Sequence, residues 1–124
     1  MSDPLTAKIV GAAIEVHRIL GPGLLESIYE NALCHEFDLR GIKYQRQACV
    51  EMSYKDLVIR DQRVDLIVED VGDRVIIELK SLSRLPEVST AQVLSYLKAT
   101  GLKRGLLINF GENRLVDGVR RLSL

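Results

Sequence analysis

Tryptophan is absent from this chain, and four Tyr and two Phe are its only other aromatic rings among 124 residues. A surface that holds single strands on stacked aromatic platforms needs more than that. Cysteine is nearly as scarce. Cys34 and Cys49 form no CxxC, which excludes a four-cysteine zinc or iron–sulfur site built from this chain alone. They read as two reduced, partly buried thiols of a cytoplasmic protein. Excess charge of one sign is missing too. Lys+Arg and Asp+Glu balance at 17 each, so no global field draws in nucleic acid or an acidic membrane, although a local basic strip remains compatible with the balance. No apolar run approaches bilayer length, and MSDPLTAKIV lacks the basic-then-apolar order of a signal peptide. The expectation is a soluble, intracellular protein with no membrane partner. Internal repeats and low-complexity linkers are also absent. What is there, 47% hydrophobic and 27% charged residues, is the composition of a globular protein. Residues 1–124 suffice for one domain with a real core.

The stretch around which the chain is organised is 63–80, RVDLIVEDVGDRVIIELK. Folded at Val71–Gly72, it sets Val64, Leu66 and Val68 opposite Leu79, Ile77 and Val75. The alternate residues then pair Ile67 with Ile76, Asp65 with Glu78 and Arg63 with Lys80. Strand side chains alternate between faces, so the two acids point the same way from neighbouring strands. Opposed cross-strand residues lie roughly 5 Å apart at Cβ, where like charges repel. One account is a structural ion-pair cluster, with Arg63 and Lys80 neutralising the acids. The other is a hard cation held between them. The acids of EDVGD read as a solvated turn.

Before this hairpin the spacing predicts two helices. The first covers 3–20, with Asp3 as N-cap, Pro4 in the first turn and an apolar face through Ile9, Val10, Ala13, Ile14, Val16 and Leu20. His17, beside that face, reads as a packing residue. Gly21-Pro22-Gly23 stops it, and a second helix runs from Leu24 to about Arg40 with Gly41 as its stop. Glu26 and Tyr29 share the apolar side of that helix, which aims Glu26 inward; Tyr29 reads as packing. Residues 43–54 alternate as a strand with Ala48, Val50 and Met52 toward a core. Lys55-Asp56 makes a tight turn into the next strand, and Asp61-Gln62 marks a further turn or a bulge. After the hairpin, Ser89 or Thr90 caps a helix to about Thr100 that carries Gln92 and Tyr96 on one face. Residues 105–110 form a strand buried on both sides, joined by a parallel crossover. The tail from Leu115 is read as a final strand in preference to a helix.

Asp65, Glu78 and Lys80 thus share one face at the hairpin's open end. Two carboxylates and the backbone carbonyl of Leu79 offer oxygen ligands suited to Mg²⁺ or Mn²⁺. Such an ion activates water and neutralises charge on a phosphodiester under attack. Lys80, two residues along from Glu78, points to the same water or phosphate, to stabilise charge or help deprotonate the nucleophile.

These residues carry a resemblance. Asp65, followed by Glu78-Leu79-Lys80, resembles the D…(D/E)xK signature of the PD-(D/E)XK nuclease superfamily. GLLESIY, from Gly23 to Tyr29, is similar to the motif that names the GxxExxY family, a small-domain branch of that superfamily. QVLSY, from Gln92 to Tyr96, resembles the QxxxY motif of its exonuclease-like members. The match spans roughly residues 5 to 112. It implies a restriction-endonuclease-like α/β core, in which a mixed central sheet (an antiparallel meander plus a parallel crossover strand) is flanked by helices. It also implies a metal-dependent nuclease that hydrolyses DNA, ahead of RNA, with Mg²⁺ or Mn²⁺. Carried over, Asp65 and Glu78 bind metal, Lys80 is the catalytic lysine, and Glu26 approaches the metal directly or through water. Gln92 and Tyr96 orient the site or the substrate strand. Val64 stands where such motifs commonly have proline. No cysteine cluster accompanies QxxxY, so no iron–sulfur cluster is expected. Small size and zero net charge leave a second reading, a binding module that kept the fold and acts as a partner subunit or homo-oligomer.

Overall fold

Asp3 and Pro4 start the first helix as their chemistry dictates: the Asp3 carboxylate accepts from the Thr6 N–H at 2.8 Å, and Pro4 occupies the first turn. In the computed structural model, which describes residues 3–124, this helix is α1 (Pro4–Leu20). It is followed by α2 (Glu26–Arg40), β1 (Lys43–Tyr54), β2 (Leu57–Asp70) and β3 (Asp73–Lys80). Then come α3 (Glu87–Thr100), β4 (Arg104–Asn109), a 3₁₀ turn (Leu115–Gly118) and β5 (Val119–Ser123). The five strands lie in the order β1-β2-β3-β4-β5, antiparallel except for the parallel pair β3–β4. The expected α/β core, an antiparallel meander extended by a crossover strand and flanked by helices, is the observed one. No helix among the described residues is long and apolar enough to cross a membrane.

The sheet separates two cores. Ile9, Ala13, Tyr29, Leu33 and Phe37 of α1 and α2 pack on Leu66, Val68, Ile77, Leu79 and Ile108. Tyr96 and Leu97 of α3 pack with Val50, Val64, Ile67 and Ile76. β4, buried throughout after Arg104, lies between these layers as its unbroken apolar run requires.

Three details depart from expectation, in α3, Cys49 and Val64, and one open choice is decided. Glu87 opens α3 earlier than Ser89 or Thr90; Pro86 is its N-cap and supplies no side-chain cap. At Asp61-Gln62 it is the bulge that forms and not the turn: β2 runs unbroken, with one extra residue accommodated opposite Val50–Met52. Cys34 is buried, but Cys49 is exposed and donates its thiol to the Arg60 carbonyl. Val64 leaves the face it was expected to share with Leu66 and Val68, and joins the α3-side core. A backbone irregularity of the neighbouring strand lies beside it. Gln47, between the pairs Arg46↔Leu66 and Ala48↔Val64, has φ 48°, which breaks the pleat of β1.

The hairpin turn is where the sequence places it, with Val71 at φ 46° and Gly72 at φ 79°, the pair of positive angles a tight two-residue turn needs. Its acids are more than solvated. Asp70 pairs with Lys8, Glu69 with Arg74, and Asp73 with Arg104.

Candidate metal site and its polar surround

β2 and β3 pair from Asp70↔Asp73 up to Leu66↔Ile77, in the expected register, and there the ladder ends. Asp65 and Glu78 are next in line. Instead of exchanging backbone bonds, each strand offers an N–H to a carboxylate of the other. The Asp65 N–H donates to Glu78 Oε1 at 2.9 Å, and the Leu79 N–H donates to Asp65 Oδ2 at 2.8 Å. The acids therefore sit together at the sheet's opened end, each with one oxygen fixed. Leu79 is fully buried. Its carbonyl lies on the same side of the strand as its N–H, toward Asp65.

Glu78 is 6% exposed. Burial, and next the charge of Asp65, push its pKa up to about 7. Burial also raises that of Asp65, against the Leu79 N–H bond that lowers it; the charge of Glu30 adds to the rise. The positive charge of Lys80 lowers the pKa of both acids and of Glu26. The ion-pair cluster is not what forms. Among the described residues neither Arg63 nor Lys80 makes a salt bridge with these acids, and Arg63 instead donates to the Gln47 carbonyl. The expected Arg63–Lys80 pairing is also absent, because the strands have parted before it.

Glu26 is not inward. It is the first residue of α2 and is exposed at the rim of the site. The surrounding protein, and next Asp65, still raise its pKa. Among the described residues, no three His, Cys, Asp or Glu side chains come close enough to hold one ion together. A direct ligand role for Glu26 does not fit this geometry, and the exposed first turn of α2 is the reason.

Tyr96 is buried, and burial and then the charge of Glu78 raise its pKa. Gln92 Nε2 donates to its hydroxyl at 3.1 Å, and that hydroxyl donates on to Gln62 Oε1. Gln92 and Tyr96 therefore act as one unit on the α3 side of the acids.

Several residues of this site were not singled out from sequence. Gln47 Nε2 bridges Glu30 Oε1 at 2.9 Å and Asp65 Oδ1 at 3.4 Å, while Arg46 holds the other oxygen of Glu30. Asn109, fully buried, clamps the segment after β3 through both the N–H and the carbonyl of Leu82. Ser81 Oγ donates to the Leu24 carbonyl, which ties that segment to the start of α2. Tyr29 donates to the Gly21 carbonyl at 2.5 Å, accepts from the Leu24 N–H and stacks on Phe110 at 4.5 Å. Its packing role is as expected, and it shapes the loop that delivers Glu26. Only Glu30, four residues after Glu26, carried any periodicity signal. A cavity of about 600 Å³ lies at the turn end of the hairpin and shares no residue with this site.

The residues fit a hard divalent cation. The donors are all oxygen, the two carboxylates repel one another at close range, and no protein cation pairs with them. Two carboxylates and a carbonyl are few ligands, which suits Mg²⁺, an ion that keeps several waters.

The family model described as the PD-(D/E)XK nuclease superfamily matches residues 3–122. No curated protein matches the chain. Among solved structures, the crystal structure of SSO0001 is similar, with a TM-score of 0.50 and 15% identity, over 98% of this chain and 78% of that one. At that identity the likeness is one of fold.

Proposed function

Because this chain belongs to the PD-(D/E)XK nuclease superfamily, we propose that it is a nuclease that hydrolyses phosphodiesters with a Mg²⁺ or Mn²⁺ ion. Within the superfamily we place it in the GxxExxY branch, on the residues from Gly23 to Tyr29. The observation that carries the reading is the pair of backbone-to-carboxylate bonds, from the Asp65 N–H to Glu78 and from the Leu79 N–H to Asp65. It fixes two mutually repelling carboxylates beside an unpaired lysine at the open end of a sheet.

A cation bound there would supply an acidified water and neutralise charge on the phosphate. The chain's own residues do the rest. Asp65 and Glu78, each with an oxygen not held by a backbone N–H, would hold the ion together with the Leu79 carbonyl. Glu26 at the rim would reach it only through water. Lys80 presents its ammonium to the charge that develops on the phosphoryl oxygens. Gln92 and Tyr96 orient Glu78 and the entering strand. DNA is the substrate named first, RNA second.

Charge balance favours one other reading, a partner subunit that binds without cutting, since 17 basic against 17 acidic residues give little non-specific grip. One experiment separates them. Labelled single- and double-stranded DNA and RNA are incubated with Mn²⁺ and with wild-type or Lys80→Ala protein. Cleavage that Lys80→Ala abolishes supports the nuclease; metal binding with no Lys80-dependent cleavage supports the binding subunit.

A further inference from the structure

On the side of Lys80 facing α3 lies a second feature, a cleft of about 380 Å³ lined by Lys80, Val88, Ser89, Ala91, Gln92 and Ser95. No carboxylate lines it. Lys80 therefore stands between two unlike surroundings, the acid pair on one side and an acid-free groove of hydroxyls and an amide on the other.

Ser89 is the unusual member. It is 5% exposed, and its hydroxyl makes no hydrogen bond among the described residues; only its N–H is engaged, with the Pro86 carbonyl. Every fully buried side-chain polar atom among the described residues has a partner. The Ser89 hydroxyl can therefore escape that count only by reaching the water of the cleft. A hydroxyl enclosed by protein yet bonded to none of it is available to a ligand. Around it, Ser95 spends its proton on the Ala91 carbonyl, and Gln92 spends one N–H on Tyr96. That leaves Gln92 a second N–H to donate. Val88 and Ala91 add an apolar wall against which a sugar can lie.

We propose that this cleft is a backbone-phosphate subsite for the nucleic-acid strand, in which the Ser89 hydroxyl and the second N–H of Gln92 hold the phosphate next to the one cleaved. The proposal rests on the nuclease reading for the direction in which the strand enters. The occupant is a nucleic-acid phosphate because the cleft opens beside the lysine that serves the scissile bond, and because no carboxylate lines it beside Ser89 and Gln92. Neutral donors such as hydroxyls and amides fix the register of a strand, while the Lys80 ammonium next to them serves the scissile phosphate.

The test is binding under conditions without cleavage. A fluorescein-labelled ten-residue oligonucleotide, (dT)₁₀ or (rU)₁₀, whichever binds more tightly, is titrated with the full chain in Ca²⁺ and followed by anisotropy. Ser89→Ala weakens binding by about tenfold, the loss of one hydrogen bond to a charged group. Its melting temperature stays at the wild-type value or above, because alanine suits a helix and no protein bond is lost. Ser89→Asp weakens binding further by placing an anion against the phosphate. A strand with one neutral methylphosphonate, moved along the sequence, erases the Ser89→Ala difference at one linkage.

Unchanged affinity in both variants overturns the proposal. So does a fall in melting temperature for Ser89→Ala, which would make the hydroxyl structural. Binding that depends on Ser89 without any cleavage in Mn²⁺ keeps the subsite and removes the nuclease reading. Cleavage and binding indifferent to Ser89 do the reverse.

Discussion

Asp65 and Glu78 each hold the other's strand: the Asp65 N–H donates to the Glu78 carboxylate at 2.9 Å, and the Leu79 N–H donates to the Asp65 carboxylate at 2.8 Å. Side chains have taken the place of the next rungs of the ladder. The arrangement secures the backbone while forcing two acids into one partly dry space. Each consequence below follows from that compromise.

Glu78 makes the protein pH-sensitive. Below its ordinary value of 4.5 the carboxyl is protonated whether the chain is folded or not, and it contributes nothing. Between there and about 7 the unfolded chain ionises while the folded one keeps its proton, so stability falls as pH rises. Above about 7 the full cost is present, at most on the order of 3 kcal/mol. Glu78→Gln, which keeps an acceptor for the Asp65 N–H, should match wild type in urea denaturation at pH 5. It should be the more stable protein at pH 8 in the absence of divalent ions.

A bound cation reverses that slope. Millimolar Mg²⁺ or Mn²⁺ should raise the melting temperature, and the rise should grow from pH 6 to pH 8 as the ion displaces a proton. A concentration of 100 times Kd corresponds to about 2.7 kcal/mol of stabilisation. Asp65→Ala and Glu78→Ala should show no metal-dependent shift, as thermal scans with and without EDTA would reveal.

Lys80 separates binding from chemistry. Lys80→Ala should reduce cleavage by about 10²–10⁴-fold, the range for losing one positioned charge or proton donor. The metal-dependent rise in melting temperature should remain, since the ammonium is not a ligand. Equal loss of both would assign the lysine to the integrity of the fold.

Tyr29 tests the loop rather than the site. Tyr29→Phe keeps the stack on Phe110 and removes the hydroxyl that serves both the Gly21 carbonyl and the Leu24 N–H. The cost should be about 1–3 kcal/mol in chemical denaturation. Cleavage should fall modestly, through the placement of Glu26, with the affinity for metal little changed.

Gly111 is a tertiary constraint invisible in sequence. A Cβ there would stand 2.1 Å from the Leu82 carbonyl oxygen, so Gly111→Ala must displace the segment that follows Lys80. Lower stability and lower activity should appear together, read by thermal scan and by the same cleavage assay.

The amino-acid order alone settled most of what is local. Asp3 and Pro4 start α1, Gly41 in the left-handed region ends α2, and Val71–Gly72 turns the hairpin in the expected register. These follow from caps, positive φ and period-two alternation, which act over a few residues. Alternation also brought Asp65 and Glu78 to the same end of the same face. It could not show that the ladder stops at Leu66↔Ile77, because that depends on the backbone N–H groups of Asp65 and Leu79 bonding carboxylates of the facing strand in place of carbonyls. The same holds for Glu26, whose helical phase suggested an inward acid but whose place in the first turn of α2 leaves it exposed. Gln47 and Asn109 carry no pattern at all in the chain, and Ser89 suggested only a helix cap. Their partners, or in the case of Ser89 the lack of one, exist only once distant segments have met.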